Sequence, residues 1–489
     1  MALTIPELFE AAAAEVPEKA WLIYEDEAFT YAQARERIGR AAAALAELGA
    51  GPGDLVLATA RNRPEYVFTW LAAMYLGAIY VAVDPRSTES ELAGLVGQVK
   101  PKLVVDDGAV DGLFSRATPP LAGPGPARPD DPAVLIPTSG TTGRSKLVTQ
   151  THRAYAMAGE GFPWWLELTS EDRLMTSLPL FHINAPAYSV LGSLAARASL
   201  VLLPGFSAGT FIDSARRHGA TEFNAIGAML EILMRQPERP DDADNPLRLC
   251  YTGPSPTEQR QLEIERRFGL RITCGYAMSE TTYGTVWARR TRPYGTLGSI
   301  RQHPTLGEVN EGRVMRDGRE VAAGDVGELE LRNPAVMKGY WGMPEETSRV
   351  LIEDGWLRTG DLVRDNGDGT LTFIGREKEV IRRRGENVAP AEIEEVLMSH
   401  PDVLEAAAVG VPSELSEEEI KAFVVVRDPA SGELPAIRAW AAERLTRFKV
   451  PRYLEAVPDL PHTPTGRVVK HRLERERTAD EIDFEADGR

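Results

Sequence analysis

The segment Ile136-Pro137-Thr138-Ser139-Gly140-Thr141-Thr142-Gly143-Arg144-Ser145-Lys146 limits what this chain can fold into more than any other stretch. It follows the apolar run Ala133 to Ile136, which reads as a strand, so the segment is a turn issuing from a strand end. Its glycines let several backbone N–H groups face inward together, its hydroxyls add donors, and Lys146 adds a full positive charge. That combination suits a polyphosphate. No glycine precedes a Lys-Ser/Thr pair at Walker A spacing, which excludes the P-loop signature. The plainer alternative is a flexible Ser/Thr/Gly linker.

Around this loop the chain alternates between helical and strand patterns from residue 30 to about 275. Short apolar strands are expected at Leu55–Thr59, Ile79–Val83, Leu103–Val105, Leu200–Leu203 and Phe223–Ile226, with helices such as Glu258–Phe268 between strands. Such alternation builds a largely parallel, helix-covered sheet, hence an α/β fold. Arg35 to Leu48 places Ile38, Ala41, Leu45 and Leu48 on one helical face and stops at Gly49. Tyr66 to Val83 is apolar enough to suggest a membrane span, but Gly77 interrupts it. A buried helix followed by a buried strand is expected there. Six prolines between Phe114 and Ala133 make a stiff surface connector. From about 290 to 375 short strands and Gly-rich turns predict a small antiparallel barrel or sheet. After Gly375 a mixed α+β pattern resumes, with a helix opening at Pro390. The charged, apolar-poor tail 474–489 is expected to be disordered.

A length of 489 residues allows about three core-forming units. The net charge of −17 argues against nucleic acid or an anionic membrane surface as partner. Cys250 and Cys274 are too few for a disulfide framework, and the acidic first residues lack a secretory n-region. The expectation is a cytoplasmic protein, for which a homodimer is one option.

Further segments follow the phosphate loop in a fixed order: Leu178-Pro179-Leu180-Phe181-His182, Gly275-Tyr276-Ala277-Met278-Ser279-Glu280, Asp354-Gly355-Trp356-Leu357-Arg358-Thr359-Gly360-Asp361, Gly375-Arg376-Glu377-Lys378 and Pro464-Thr465-Gly466-Arg467. Their order and spacing resemble the acyl-adenylate-forming superfamily over nearly the whole chain. The texture around Phe181-His182-Ile183-Asn184-Ala185 is most similar to stand-alone carnitine/crotonobetaine- and coumarate-CoA ligases. The resemblance implies a large N-terminal domain of two helix-covered sheets plus a small β-barrel, followed by a small mobile α+β C-terminal domain. The texture changes divide these as 1–375, with the barrel at about 290–375, and 376–489.

The resemblance also implies the chemistry. An acid oxygen attacks the α-phosphorus of ATP and releases pyrophosphate, a step that needs preorganised donors and cations rather than a strong base. Thr138, Ser139, Gly140, Thr141, Thr142, Gly143 and Lys146 would hold the β- and γ-phosphates, and Glu280 would ligate Mg²⁺. Ser279 would contact the α-phosphate. Tyr276 would stack on adenine, with Ala277, Met278, Gly253, Pro254 and Ser255 around the nucleotide. Asp361 and Arg376 would take the ribose. His182 would gate an acid pocket bordered by Gly227, Ala228, Gly275 and Ala277. A hinge at Lys378 would then present the C-terminal domain to CoA. Gly385 would line a pantetheine tunnel that Arg384 narrows, and Arg382, Arg383, Lys449 and Arg452 would meet CoA phosphates. Each has a plainer alternative: Glu280 as a surface carboxylate at a helix start, Tyr276 as a core aromatic, Asp361 as a turn residue, His182 as a satisfied buried histidine, and the basic run as a solvated face.

Several residues depart from the family pattern. Ser145 and Leu147 stand where Pro and Gly are usual, and Arg467 stands where the catalytic lysine is usual. Arginine keeps the charge but presents a planar fork, so the exchange is not conservative. Three readings remain open: Arg467 bridges acid and α-phosphate, Lys470 takes that role, or adenylation is slow or lost. The rivals to a CoA ligase are an adenylating enzyme with an amine or carrier-protein acceptor, one acting on an unusual acid such as nitrite, and a non-catalytic AMP-binding protein.

Overall fold

A computed structural model describes residues 4–138, 146–253, 255–288, 290–383, 386–413, 418–427, 434–462, 468–478 and 480–485, with only the backbone of 386–387. Its chain clusters into two compact units, Met1–Gly312 with Glu330–Arg358, and Arg313–Leu329 with Thr359–Arg489.

In the first unit the strands Arg173–Thr176, Ser199–Leu202, Glu222–Asn224, Leu249–Thr252 and Arg271–Met278 pair in parallel within one large sheet. The antiparallel strand Thr281–Val286 extends it on one side. A second sheet runs Leu103–Val105, Leu55–Ala58, Ile79–Ala82, Pro132–Thr138 and Lys146–Thr151, the last strand antiparallel to its neighbour. The α/β reading therefore holds, and the expected strands lie within a residue or two of their places. The helix Glu258–Phe268 has the expected ends.

The helix Tyr31–Glu47 starts four residues earlier than its apolar period alone suggests. Thr30 and Gln33 form a reciprocal capping box, which satisfies two backbone donors at the first turn. Ile38, Ala41 and Leu45 are buried as expected, but Leu48 is exposed, because the helix has already ended and the chain turns at Gly49 with φ +92°. The apolar run from Tyr66 is the helix Pro64–Tyr75 followed by the strand Ile79–Ala82, both buried. Among the described residues no helix is long and apolar enough to cross a membrane.

A further five-stranded sheet runs in the order Arg319–Glu320, Glu311–Arg316, Val326–Arg332, Leu357–Asp365, Leu371–Arg376. In the second unit the helix Pro390–Met398 packs on the long hairpin Val403–Pro412 and Glu418–Val426, with Ile393 and Leu397 buried against it. The tail expected to be disordered instead supplies the strand Glu481–Asp483, antiparallel to Tyr453–Ala456. Its charges are spent in ion pairs. Lys421, 1% exposed, meets Glu481 at 2.8 Å and Glu455 at 2.9 Å, and Arg452 meets Asp483 at 2.9 Å. Composition reads those charges as solvated, whereas pairing lets them be buried.

Candidate active site

Parallel strands present their carboxyl ends along one edge, where ligand-binding loops gather. In the large sheet these loops carry the expected residues. His182 follows Arg173–Thr176, Gly227 and Ala228 follow Glu222–Asn224, Gly253 and Ser255 follow Leu249–Thr252, and Tyr276 to Glu280 close Arg271–Met278. Two glycines let these segments approach. A Cβ on Gly253 would lie 2.3 Å from the Gly275 carbonyl oxygen, and one on Gly275 would lie 2.6 Å from the Tyr251 hydroxyl. Tyr276, Ala277, Met278, Ser279 and Glu280 are all half-buried at the turn into Thr281–Val286. Gln150 donates to the Ser279 carbonyl at 2.7 Å and the Met337 amide to the Glu280 carbonyl at 2.7 Å, which pins the turn from two sides.

The hydroxyl-rich segment connects two paired strands of the second sheet. Thr138 faces Lys146 across it, and the Thr138 hydroxyl donates to the Lys146 carbonyl at 3.2 Å. Ser139, Gly140, Thr141, Thr142 and Gly143 lie outside the described residues, as do Pro254, Arg384, Gly385 and Arg467. Residues 338–341 dock onto the strand Lys146–Thr151 through backbone bonds, including Thr149 N–H to Gly339 O at 3.0 Å and Trp341 N–H to Leu147 O at 2.8 Å. That docking brings Tyr340 beneath Lys146, whose ammonium lies 4.8 Å from the ring centroid. The Tyr340 hydroxyl donates to Oε1 of Glu280 at 2.8 Å. Burial, then the adjacent Glu280 charge, raises the Tyr340 phenol, so it stays a donor at neutral pH. Lys146 also pairs with Glu346 at 2.6 Å. The loop lysine and the expected Mg²⁺ carboxylate thus meet on two parts of one tyrosine.

Sequence reasoning missed Tyr340, Glu346 and Arg301. The first two sit in a stretch with no signal beyond Pro344 opening a short helix. Arg301 is 1% exposed and, among the described residues, pairs with no carboxylate. Its guanidinium donates to Thr285 O at 2.6 Å, Tyr251 Oη at 2.9 Å, Tyr276 O at 3.1 Å and Tyr188 Oη at 3.1 Å, and lies 4.5 Å from the Trp165 ring. One fork therefore ties the strand carrying Tyr276 to its neighbours.

His182 is half-buried, but its Nε2 is shut off from solvent and has no hydrogen-bond partner among the described residues, and desolvation pushes its pKa down to about 4. It is neutral at pH 7. Nearby in sequence, Asn184 accepts from the buried Asn224 amide at 2.6 Å, a polar pair with no signature in the chain. An unfolded histidine takes its proton near pH 6.5, while folded His182 resists until about 4. The stability held by its neutral form is complete above pH 6.5 and is lost as pH falls toward 4. Urea titrations at pH 7.5 and 4.5 should show His182→Asn losing about 2 kcal/mol less than wild type on acidification. Equal losses would contradict this.

In the second unit Asp361 and Arg376 face each other across antiparallel strands, with Arg376 Nε 3.2 Å from Asp361 Oδ1, so the two expected ribose ligands are brought together. Asp361 is 3% exposed, which fits a carboxylate held in place rather than a solvated turn residue. Lys378 is exposed in the turn Glu377–Glu379. Lys470 is engaged by Glu394 at 2.7 Å and Glu379 at 3.2 Å. The basic run expected for CoA phosphates is mostly committed elsewhere. Arg383 is buried and pairs with Glu419 at 2.6 Å, Lys449 pairs with Glu392 at 2.7 Å, and Arg452 is held by Asp483; Arg382 alone of the four has an exposed side chain. Clustered charge in sequence gave no sign that acids from distant strands would meet it.

A hydroxyl-rich hairpin connection, a lysine and carboxylate joined by a tyrosine, and an α/β sheet edge that collects the adjoining loops accompany a family match that makes the chain an adenylate-forming enzyme of the acyl-CoA ligase type. The chain belongs to the AMP-binding enzyme family: the family's model matches residues 9–341, and that of the AMP-binding enzyme C-terminal domain matches 392–467. It is 30% identical to the crotonobetaine/carnitine–CoA ligase of Salmonella agona (strain SL483), over 93% of this chain and 96% of that protein. Its structure is similar to ATP-bound MatB from Rhodopseudomonas palustris, with TM-score 0.87 and 27% identity, covering 96% of this chain and 98% of that one. It is also similar to the O-succinylbenzoate coenzyme A synthetase of Bacillus subtilis in complex with AMP, with TM-score 0.86, 27% identity and the same coverage.

Proposed function

We propose that this enzyme activates a small organic carboxylic acid with MgATP as its acyl-adenylate, then transfers the acyl group to the thiol of CoA. The observation that carries the reading is the Lys146–Tyr340–Glu280 arrangement, which holds an ammonium and a carboxylate in fixed relation and so suits them to a phosphate and a metal ion. Glu280 suits Mg²⁺, because a carboxylate completed by phosphate oxygens and waters is a usual magnesium shell. Magnesium there would neutralise charge on the departing pyrophosphate. Thr138, Ser139, Thr141, Thr142 and Lys146 donate to the β- and γ-phosphates, and Ser279 to the α-phosphate. Tyr276 stacks on adenine, with Gly253, Pro254 and Ser255 along the base, and Asp361 with Arg376 holds the ribose. His182, being neutral and half-buried, shapes the acid pocket rather than donating a charge. Lys378 is the hinge. Arg382 is the remaining exposed cation of its run for a CoA phosphate, and Gly385 lets the pantetheine arm pass.

Of the two candidates for the C-terminal cation, we assign the role to Arg467. The Lys470 ammonium is shared by two carboxylates, and releasing it would leave Glu379 and Glu394 without that partner. The assay is pyrophosphate release over a panel of small acids, with and without CoA. Acid-dependent release with thioester formed only when CoA is present is expected. Arg467→Ala should cut release by ~10², whereas Lys470→Ala should mainly lower the thermal midpoint. Release without thioester would move the acceptor to an amine or carrier protein, and no release with any acid would favour a non-catalytic AMP-binding protein. The reverse ranking of the two variants would return the role to Lys470.

A further inference from the structure

We propose that Glu346 is an internal competitor of the triphosphate for Lys146, and that Arg349 is the cation that retains the carboxylate when nucleotide arrives. This rests on the reading of Lys146 as a phosphate ligand. Oε2 of Glu346 lies 2.6 Å from the Lys146 ammonium, and Oε1 lies 2.5 Å from Nη1 of Arg349. One carboxylate therefore spans two cations of different character. The Lys146 side chain is 18% exposed and lies over the Tyr340 ring, while that of Arg349 is 68% exposed and sits one helical turn from Glu346.

A triphosphate is a denser anion than a single carboxylate and needs the same ammonium. Single carboxylates do share one ammonium elsewhere in the chain, as at Lys421 and Lys470, but a triphosphate carries several negative charges and would repel Glu346 far more strongly across Lys146. Rotation of the Glu346 side chain toward Arg349 resolves the conflict, because its second oxygen is already bound there. Binding then exchanges one anion for another around a lysine that Tyr340 keeps in place, so little side-chain order has to be created. The same exchange runs backwards as pyrophosphate departs, with Glu346 closing on Lys146 behind it.

The test is calorimetric titration of MgATP, without acid, into wild type, Glu346→Gln, Arg349→Gln, Lys146→Met and the Lys146→Met/Glu346→Gln double variant, each checked by thermal midpoint. Glu346→Gln should bind MgATP about threefold to tenfold more tightly, as expected for loss of one competing ion pair. Arg349→Gln should bind about twofold to fivefold more weakly, since Glu346 then loses the cation that draws it away from Lys146. In the Lys146→Met background the Glu346 effect should vanish. Unchanged or weaker binding by a folded Glu346→Gln overturns the proposal. So does tightening that persists without Lys146, which would reveal only a general charge effect. If Lys146→Met itself binds as wild type does, the phosphate reading of the loop fails, and the proposal with it.

Discussion

Glu280→Gln is expected to lower acid-dependent pyrophosphate release by ~10²–10³ while leaving the protein folded. Glutamine keeps the size of the side chain and can still accept from the Tyr340 hydroxyl, which lies 2.8 Å from Oε1. The lost negative charge is what a divalent cation requires. Tyr340→Phe should lose about tenfold, because it removes one of the bonds that orient the carboxylate without removing the carboxylate itself. Release rates at saturating ATP and magnesium, with thermal midpoints alongside, separate these outcomes. A Glu280→Gln rate within threefold of wild type would remove this carboxylate from the chemistry.

The second large effect is on stability. Arg301→Met should destabilise the first unit by about 4 kcal/mol, because Thr285 O and the Tyr251 hydroxyl would lose this donor in the interior. Arg301→Lys should lose less, about 2 kcal/mol, since an ammonium can serve some of these acceptors but lacks the fork. Urea unfolding monitored by tryptophan fluorescence is the measurement, Trp165 lying against the guanidinium. A Met variant within 1 kcal/mol of wild type would mean that water replaces the guanidinium, and Arg301 would lose its place as the hub behind the Tyr276 strand.

How far the sequence could be read follows from which interactions are local. The helix Glu258–Phe268 and the strand Leu103–Val105 were legible because period and turn residues lie within each element. The strand leading into the hydroxyl-rich loop was legible for the same reason, since its apolar run Ala133 to Ile136 is contiguous. Helix starts set by a capping box were less visible, and Leu48 was placed on the wrong face because its helix ends one residue before it. What the sequence hid was pairing at a distance. Glu346 reaches Lys146 across 200 residues, and Tyr340 reaches Glu280 across 60. The acids that bind Arg383, Lys449 and Arg452 come from separate elements, so three of the four cations expected to face CoA are held in ion pairs. The tail misled in the same way, with Glu481 and Asp483 charged in composition yet built into a strand.

Formation of an adenylate through attack by the acid is the central claim, and oxygen-18 tracing tests it most directly. The acid giving the fastest pyrophosphate release would be labelled in its carboxylate and turned over with ATP, magnesium and CoA. The account predicts one labelled oxygen in AMP and none in pyrophosphate, because the acid oxygen that attacks the α-phosphorus stays there when the thiol displaces AMP. Label in inorganic phosphate with ADP as the nucleotide product, or AMP free of label, would contradict it.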